Sequence, residues 1–245
     1  MTVNEANEIF TTTERDPLSV RLLKESHILI GGTTGSGKST MINTFLHTVA
    51  TYATWEISYC IIDLKMVSLL PWKNDPHCQR YADTAKEAKT LLKDYRYTMM
   101  DRFDEMKKKG VSEWKGQHFY LIVDECAELL DNVPGAYDIL KDIARLGRAA
   151  SMHLLLATQS PNRRTIPADL TLNITGLLAL RCRSAIESRQ ITGYKGAEEL
   201  PRYGQGLYVC PELTTPETVN IRLTSDDDID KMITAYKCLQ DSVCV

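Results

Sequence analysis

Nowhere does the chain hold an apolar run close to the roughly 18–20 residues that a membrane-crossing helix needs. Its opening, MTVNEANEIFTTTERD, is polar and acidic and lacks the basic-then-apolar order of a secretory leader. The cysteines number seven, an odd count, and are scattered without a single C-x-x-C pair. That spacing argues against a disulfide framework or a zinc site and for free thiols in a reducing, cytoplasmic setting. There is no excess of basic charge either: the formal net charge is −3, which argues against a diffuse nucleic-acid coat but leaves room for a local basic strip. Internal repeats and low-complexity linkers are also missing.

What is present is ordinary for a globular chain. Of 245 residues, 43% are hydrophobic and 25% charged, enough for one large core without staples. Strand-like and helix-like stretches alternate, which predicts an α/β fold with a mostly parallel central sheet and helices on both faces. Strands are expected at 27–30, 56–63, 118–125 and 153–158, with shorter ones at 177–181, 206–209 and 219–223. Helices are expected at 39–49, 84–109 and 136–150, and a last one from about Asp226, where SDDDID sets carboxylates at the positive end of the helix dipole. Thr84 and Glu87 form a capping box, and Ala85, Ala88, Leu92, Tyr95, Met99, Phe103 and Met106 recur at helical spacing as a core stripe. We read residues 1–26 as a polar N-terminal extension and 27–245 as a single domain.

Three short segments carry chemistry. Gly32-Thr33-Thr34-Gly35-Ser36-Gly37-Lys38-Ser39 fits the phosphate-loop pattern G-x-x-x-x-G-K-[ST] in full and lies between a predicted strand and a predicted helix. In such a loop the backbone N–H groups, through Thr40, face phosphate oxygens. Lys38 reaches the β- and γ-phosphates of ATP, and the Ser39 hydroxyl serves Mg²⁺. YLIVDE ends an apolar strand in two carboxylates: Asp124 to hold the Mg²⁺ shell and Glu125 to deprotonate the attacking water. LLLATQS ends another strand in Thr158 and Gln159, and Gln159 is placed to sense the γ-phosphate.

These segments, taken with others in the same order, resemble the motor domain of the FtsK/SpoIIIE family of DNA translocases, from about His27 to Tyr208. HILIGGTTGSGKSTMIN looks like the family's first motif, and CIIDLKMVSLLPWKNDPH resembles its I-D-P-K-M stretch. YLIVDECAELL is similar to V-D-E-F-A-D-L, and GRAASMHLLLATQSP to A-R-A-A-G-I-H-L-x-L-A-T-Q-R-P. SAIESRQITG and GAEELPRYGQGLYV resemble S-K-I-D-S-R and G-A-E-x-L-x-G-x-G-D-M-L-Y.

The resemblance implies a RecA-like domain that assembles as a homo-oligomeric ring, usually a hexamer, around double-stranded DNA, with ATP between subunits. It makes Arg148 the arginine that completes a neighbour's site, with Arg145 three residues earlier as its rival. It makes Arg189 a DNA contact, to which Arg163, Arg164 and Arg183 add local positive charge; Arg181 lies among them. Four departures stand out: Ala185 for the pattern's lysine, Ser160 for the arginine of T-Q-R-P, Gln205 for the aspartate of G-D-M, and Leu64 for the proline of I-D-P-K, with Lys65 kept. The short chain is expected to be a reduced, soluble relative from a mobile element or phage, with relaxase, partition or packaging partners. Two other readings share parts of the pattern: a protein-export motor like the type VII secretion ATPases, and a slow nucleotide-dependent switch or scaffold.

Overall fold

The computed structural model describes residues 16–52, 56–66, 68–159 and 167–243. Eight strands form one sheet: β1 (His27–Gly31), β2 (Ile57–Ile62), β3 (Cys78–Ala82), β4 (His118–Val123), β5 (Met152–Thr158), β6 (Gly176–Ala179), β7 (Gln205–Val209) and β8 (Glu217–Asn220). Their order is β3-β2-β4-β5-β1-β6-β7-β8. Every pairing from β3 across to β6 is parallel, and only β7 and β8, at one edge, run antiparallel to their neighbours.

The central strands are apolar along their whole length because both faces are covered. Alternation within each strand divides the side chains between two cores. Leu29, Leu121, Val123, Leu154 and Leu156 point to one core, which is closed by α3 (Ala85–Lys109), α4 (Cys126–Asn132), α5 (Ala136–Leu146) and α7 (Ala185–Thr192). Ile28, Ile30, Tyr120, Ile122, Leu155 and Ala157 point to the other, closed by α1 (Pro17–Leu22), α2 (Lys38–Tyr52) and α8 (Asp226–Val243), with Trp72 from the 3-10 turn Leu70–Asn74. A short helix, α6 (Ala168–Thr171), precedes β6.

Several sequence expectations shift in detail. The segment before residue 27 is not all polar extension: Asp16 caps α1 by accepting from the Ser19 N–H, and Leu18 and Leu22 are buried. The strand β3 has no apolar signature because its run, CQRYA, carries exposed polar residues at its centre, as befits a sheet edge. The helix expected to run to Ala150 ends at Leu146 and tightens into a 3-10 turn, Gly147–Ala150. Glu125 leaves the strand and becomes the residue before α4. On α3 the capping box forms and Gly110 stops the helix with a positive φ of 63°, but Ala85 is exposed, while Leu91 and Arg102 join the buried stripe.

The turn Gly147–Ala150 is held on all sides. Buried Arg102 donates to the carbonyls of Ala150 and Ser151, at 2.7 and 3.1 Å. Its guanidinium sits over the Trp114 ring, and the Trp114 backbone N–H donates to Ala149 O at 2.8 Å. Gly147 permits the closeness: a Cβ there would lie 2.3 Å from the backbone oxygen of Met152. A backbone atom at the start of β5 cannot step aside, so Gly147→Ala should destabilise the fold by about 1–3 kcal/mol. Urea unfolding would show this as a lowered midpoint, and an unchanged midpoint would contradict it.

Candidate functional site

The register of the parallel strands gathers the three chemical segments. β5 lies between β1 and β4, pairing Gly31 with Thr158 and Val123 with Leu156. Ile62 of β2 pairs with Val123. β1 and β5 end level while β4 and β2 end two residues short of them, and all four deliver Gly32, Gln159, Asp124 and Asp63 to the same edge, where sites form in open α/β sheets.

The phosphate loop curls from Gly32 to the start of α2. Gly35 and Gly37 sit at φ 72° and 98°, backbone that a side chain would strain. Lys38 is 6% exposed and closes the loop on itself, its Nζ donating to Gly32 O at 2.7 Å and Thr33 O at 2.8 Å. Burial pushes its pKa down to about 8, against the opposing pull of Glu125 and Asp124. The loop is braced from behind: Leu180 N donates to Gly31 O at 2.8 Å and Thr33 N to Arg181 O at 2.9 Å. The Arg181 guanidinium itself donates to Leu200 O at 2.6 Å, which anchors the residue whose carbonyl holds Thr33. The Ser36 hydroxyl is buried and has no hydrogen-bond partner among the described residues.

Asp124 follows Val123 and is 6% exposed. Burial first, and the nearby Asp63 second, raise its pKa to about 6. Asp63 is fully buried and organises the loop after β2: one carboxylate oxygen accepts from the N–H groups of Lys65 and Met66, the other from Leu69 N–H and the Tyr81 hydroxyl. The same loop brings Ser68 to Ser39, hydroxyl to hydroxyl at 3.1 Å.

Glu125 is gripped from two sides. Its carboxylate accepts from the Gln159 N–H, 3.2 Å to each oxygen. Lys65 Nζ stands 3.3 Å away and also reaches Glu128 at 4.0 Å. The Gln159 side chain in turn accepts from the Thr34 hydroxyl at 2.8 Å. A continuous polar chain thus runs from phosphate loop through Gln159 to Glu125 and Lys65. Lys38, Ser39, Asp124, Glu125 and Gln159 share one cleft. Lys65, Asp63, Ser68 and the Thr34–Gln159 bond are additions that the sequence patterns do not assign. Lys65 is visible in I-D-L-K-M, but nothing in a linear pattern pairs it with Glu125, 60 residues on.

The arginines fall elsewhere. Arg148 is exposed on the clamped turn and makes no side-chain hydrogen bond or ion pair among the described residues. It precedes β5, while Gln159 follows it, and the seven strand residues between them span roughly 20 Å at about 3.3 Å each. Arg148 is thus at the far end of the sheet from its own phosphate loop. Arg145 is also exposed, but pairs with Asp142 at 3.5 Å. Arg189 lies exposed on α7, and Arg183 is exposed just before that helix. Ser184 caps α7 by accepting from Glu187 N–H, and Gly193 ends it. Ile191, from the same helix, sits where a Cβ on Gly31 would be, 2.3 Å from that position. Arg163, Arg164 and Ser160 lie outside the described residues. Among the described residues no three His, Cys, Asp or Glu side chains gather into a metal-binding group, and no helix is long and apolar enough to cross a membrane.

Known proteins share both the sequence pattern and the architecture. The model of the FtsK/SpoIIIE family matches residues 6–121. The DNA translocase FtsK of Mycobacterium tuberculosis is 32% identical over 250 residues, covering 91% of this chain and 30% of that protein. The DNA translocase SftA of Bacillus subtilis is 33% identical over 237 residues, covering 89% of this chain and 25% of the relative. The chain therefore spans less than a third of the length of these relatives. Among solved structures, the pCW3 conjugation coupling protein TcpA with ATPγS superposes with a TM-score of 0.75 at 21% identity, covering 87% of this chain and 65% of TcpA. The cytoplasmic domain of the type VII secretion ATPase EccC from Thermomonospora curvata gives 0.74 at 23% identity, covering 86% of this chain and 28% of EccC. The structural likenesses show that the chain shares the fold of these two proteins. A phosphate loop, a paired Asp-Glu and a strand-end Gln on such a sheet, together with relatives aligned over nine-tenths of its length, make this chain a member of the FtsK/SpoIIIE family.

Proposed function

We propose that this domain hydrolyses ATP with Mg²⁺ and uses the cycle to move double-stranded DNA through a homo-oligomeric, hexameric ring. The observation that carries the reading is the convergence of Lys38, Asp124, Glu125 and Gln159 in one cleft at the C-terminal edge of adjacent parallel strands. The relatives in FtsK and SftA, DNA translocases by name, support DNA as the cargo.

The residues divide the work. The loop N–H groups from Gly32 to Thr40 take the phosphates, and Lys38 exchanges its two loop carbonyls for phosphate oxygens. Among the described residues the neighbouring donors are the oxygens of Ser39, Ser68 and Asp124, a hard set that suits Mg²⁺ with phosphate and water completing its shell. Ser39 and Asp124 are the residues that would hold it, and the ion, when bound, offsets the charge of the transferring group. Glu125 accepts a proton from water once it is freed from Lys65, and the Thr34–Gln159–Glu125 chain couples that release to events at the phosphate loop. Arg148, too far from its own loop, acts on the nucleotide of an adjoining subunit, where a guanidinium spreads over developing phosphoryl charge. Its lack of an ion pair among the described residues favours it over Arg145. Arg189 and Arg183 contribute backbone phosphate contacts, which are independent of sequence, as a motor that crosses any sequence requires. Ala185, at the position of the pattern's lysine, leaves α7 with one positive charge fewer there.

Three measurements bear on this reading. Glu125→Gln should bind ATP at close to wild-type affinity while turnover falls by roughly a hundredfold or more, in line with loss of a general base; near-normal turnover would remove Glu125 from that role. Arg148→Ala should abolish hydrolysis at a neighbour's site, so mixing it with Lys38→Ala subunits should restore part of the activity. A mixture that stays inactive argues against a shared site. Finally, long duplex DNA should raise steady-state ATP hydrolysis several-fold. Stimulation by a peptide and not by DNA would favour an export motor like EccC, and slow turnover unaffected by either would favour a switch.

A further inference from the structure

The turn that carries Arg148 is open to solvent on one side and locked on the other. It is a single 3-10 turn, Gly147–Ala150, yet each carbonyl from Arg148 to Ser151 has a donor. Arg148 O accepts from Ser151 N–H at 3.1 Å, and Ala149 O from Trp114 N–H at 2.8 Å. Ala150 O and Ser151 O both accept from the Arg102 guanidinium, and Phe119 N–H adds a second donor to Ser151 O at 2.9 Å. Ser151 leaves the turn at a φ of 51°, a left-handed conformation that a residue with a side chain adopts at a cost. Its hydroxyl is tied to Trp114 O at 3.1 Å.

Arg102 is an unusual residue to find in this lock. It projects from the buried stripe of α3 and is 9% exposed. Among the described residues its side chain forms no ion pair. Its partners are two carbonyls and the Trp114 ring, whose centre lies 5.0 Å from the guanidinium carbon. Burying a guanidinium without a carboxylate is costly, and burial lowers its pKa. A position that had only to fill the core would be served better by an apolar side chain such as Met99 or Met106, one turn to either side. What the guanidinium adds is a grip: one nitrogen, Nη1, holds two successive carbonyls while the planar group stacks on an indole.

The lock converges on Arg148. Gly147 and Ala150 are buried, and between them Arg148 sends an exposed side chain outward from a backbone whose carbonyl is engaged. No ion pair or side-chain hydrogen bond among the described residues aims that side chain, so its direction is set at its root. We propose that Arg102, with Trp114 stacked on it, is a positioning residue that holds the root of Arg148 for the nucleotide site of the adjoining subunit. This role rests on the shared-site reading above and names the residues of the donating subunit on which that site depends. Arg102 acts through the carbonyls of the turn. A shift of about 1 Å in a group that meets a transition state can cost roughly a hundredfold in rate, so a loosened turn should lower turnover and leave ATP binding alone.

Turnover, ATP affinity and subunit mixing, measured on Arg102→Met beside Arg148→Ala, test this. Arg102→Met keeps a long side chain but loses the grip. It should bind ATP as the wild type does and lose roughly tenfold or more in turnover. Mixing it with Lys38→Ala subunits, whose turn is intact, should restore activity as it does for Arg148→Ala. Arg102→Lys, which keeps a charged donor for the carbonyls, should recover part of the lost turnover. The role is overturned if Arg102→Met turns over normally, if its ATP affinity falls in step with turnover, or if Lys38→Ala subunits restore Arg148→Ala but not Arg102→Met. In each of those cases the shared site still stands on the behaviour of Arg148→Ala. If Arg102→Met does not melt cooperatively, Trp114→Leu, in the loop after α3, takes its place, with a several-fold loss expected in the same pattern and the same outcomes against it. If Arg148→Ala itself turns over as the wild type does, the shared-site reading fails and the role of Arg102 falls with it.

Discussion

The register between β1, β5 and β4 is the constraint on which the rest of the molecule depends. No turn joins these strands directly, and long stretches of sequence separate them. In space, though, Gly31 and Thr158 are paired neighbours, as are Val123 and Leu156. Slipping any one of them by a single position would reverse its side chains between the two cores, setting apolar groups against the wrong helices. The dry packing of both faces thus fixes the level at which each strand stops. Because the strands stop within two residues of one another, the phosphate loop, the buried aspartate and the glutamine meet without any of them having to reach far.

That arrangement also accounts for the internal contacts of the cleft. A lysine, two carboxylates and a buried hydroxyl have been brought into a partly dry space, where unpaired charge is costly. Lys38 offsets this by binding the carbonyls of its own loop, and Glu125 by accepting from Lys65 and the Gln159 N–H. In the proposed cycle phosphate and water replace these partners, so the cleft is satisfied at rest and must exchange partners to act. The Asp63 network serves a different end, anchoring the loop that presents Lys65 and Ser68.

Much of the site is legible in the sequence, for physical reasons. The phosphate loop announces itself because glycine spacing and a following lysine are imposed by local backbone geometry. Asp124 and Glu125 stand out because a buried strand rarely ends in two adjacent acids unless they serve a site at its edge. β3 and α4 are harder to see: the first is an edge strand with exposed polar residues, and the second is short and begins at a residue that reads as the end of a strand. Lys65 against Glu125 and Arg102 against Ala150 are hidden more deeply, since each is a contact between distant segments that no periodicity records. Arg181 shows the reverse: the sequence presents one more surface charge, whereas the fold uses its backbone carbonyl to hold Thr33 and its guanidinium to hold Leu200.

The seat of Ile191 on Gly31 has a mechanical meaning. A glycine at the last position of β1 lets α7 come down on the strand so closely that the Ile191 side chain rests directly on its backbone. The next residue along the chain is the first glycine of the phosphate loop. A load applied to the exposed side of α7, where Arg189 stands, would reach the root of that loop in part through this isoleucine. Stiffness at this point, set by the lack of one methyl group, would govern how faithfully a tug on the outside is felt at the phosphates.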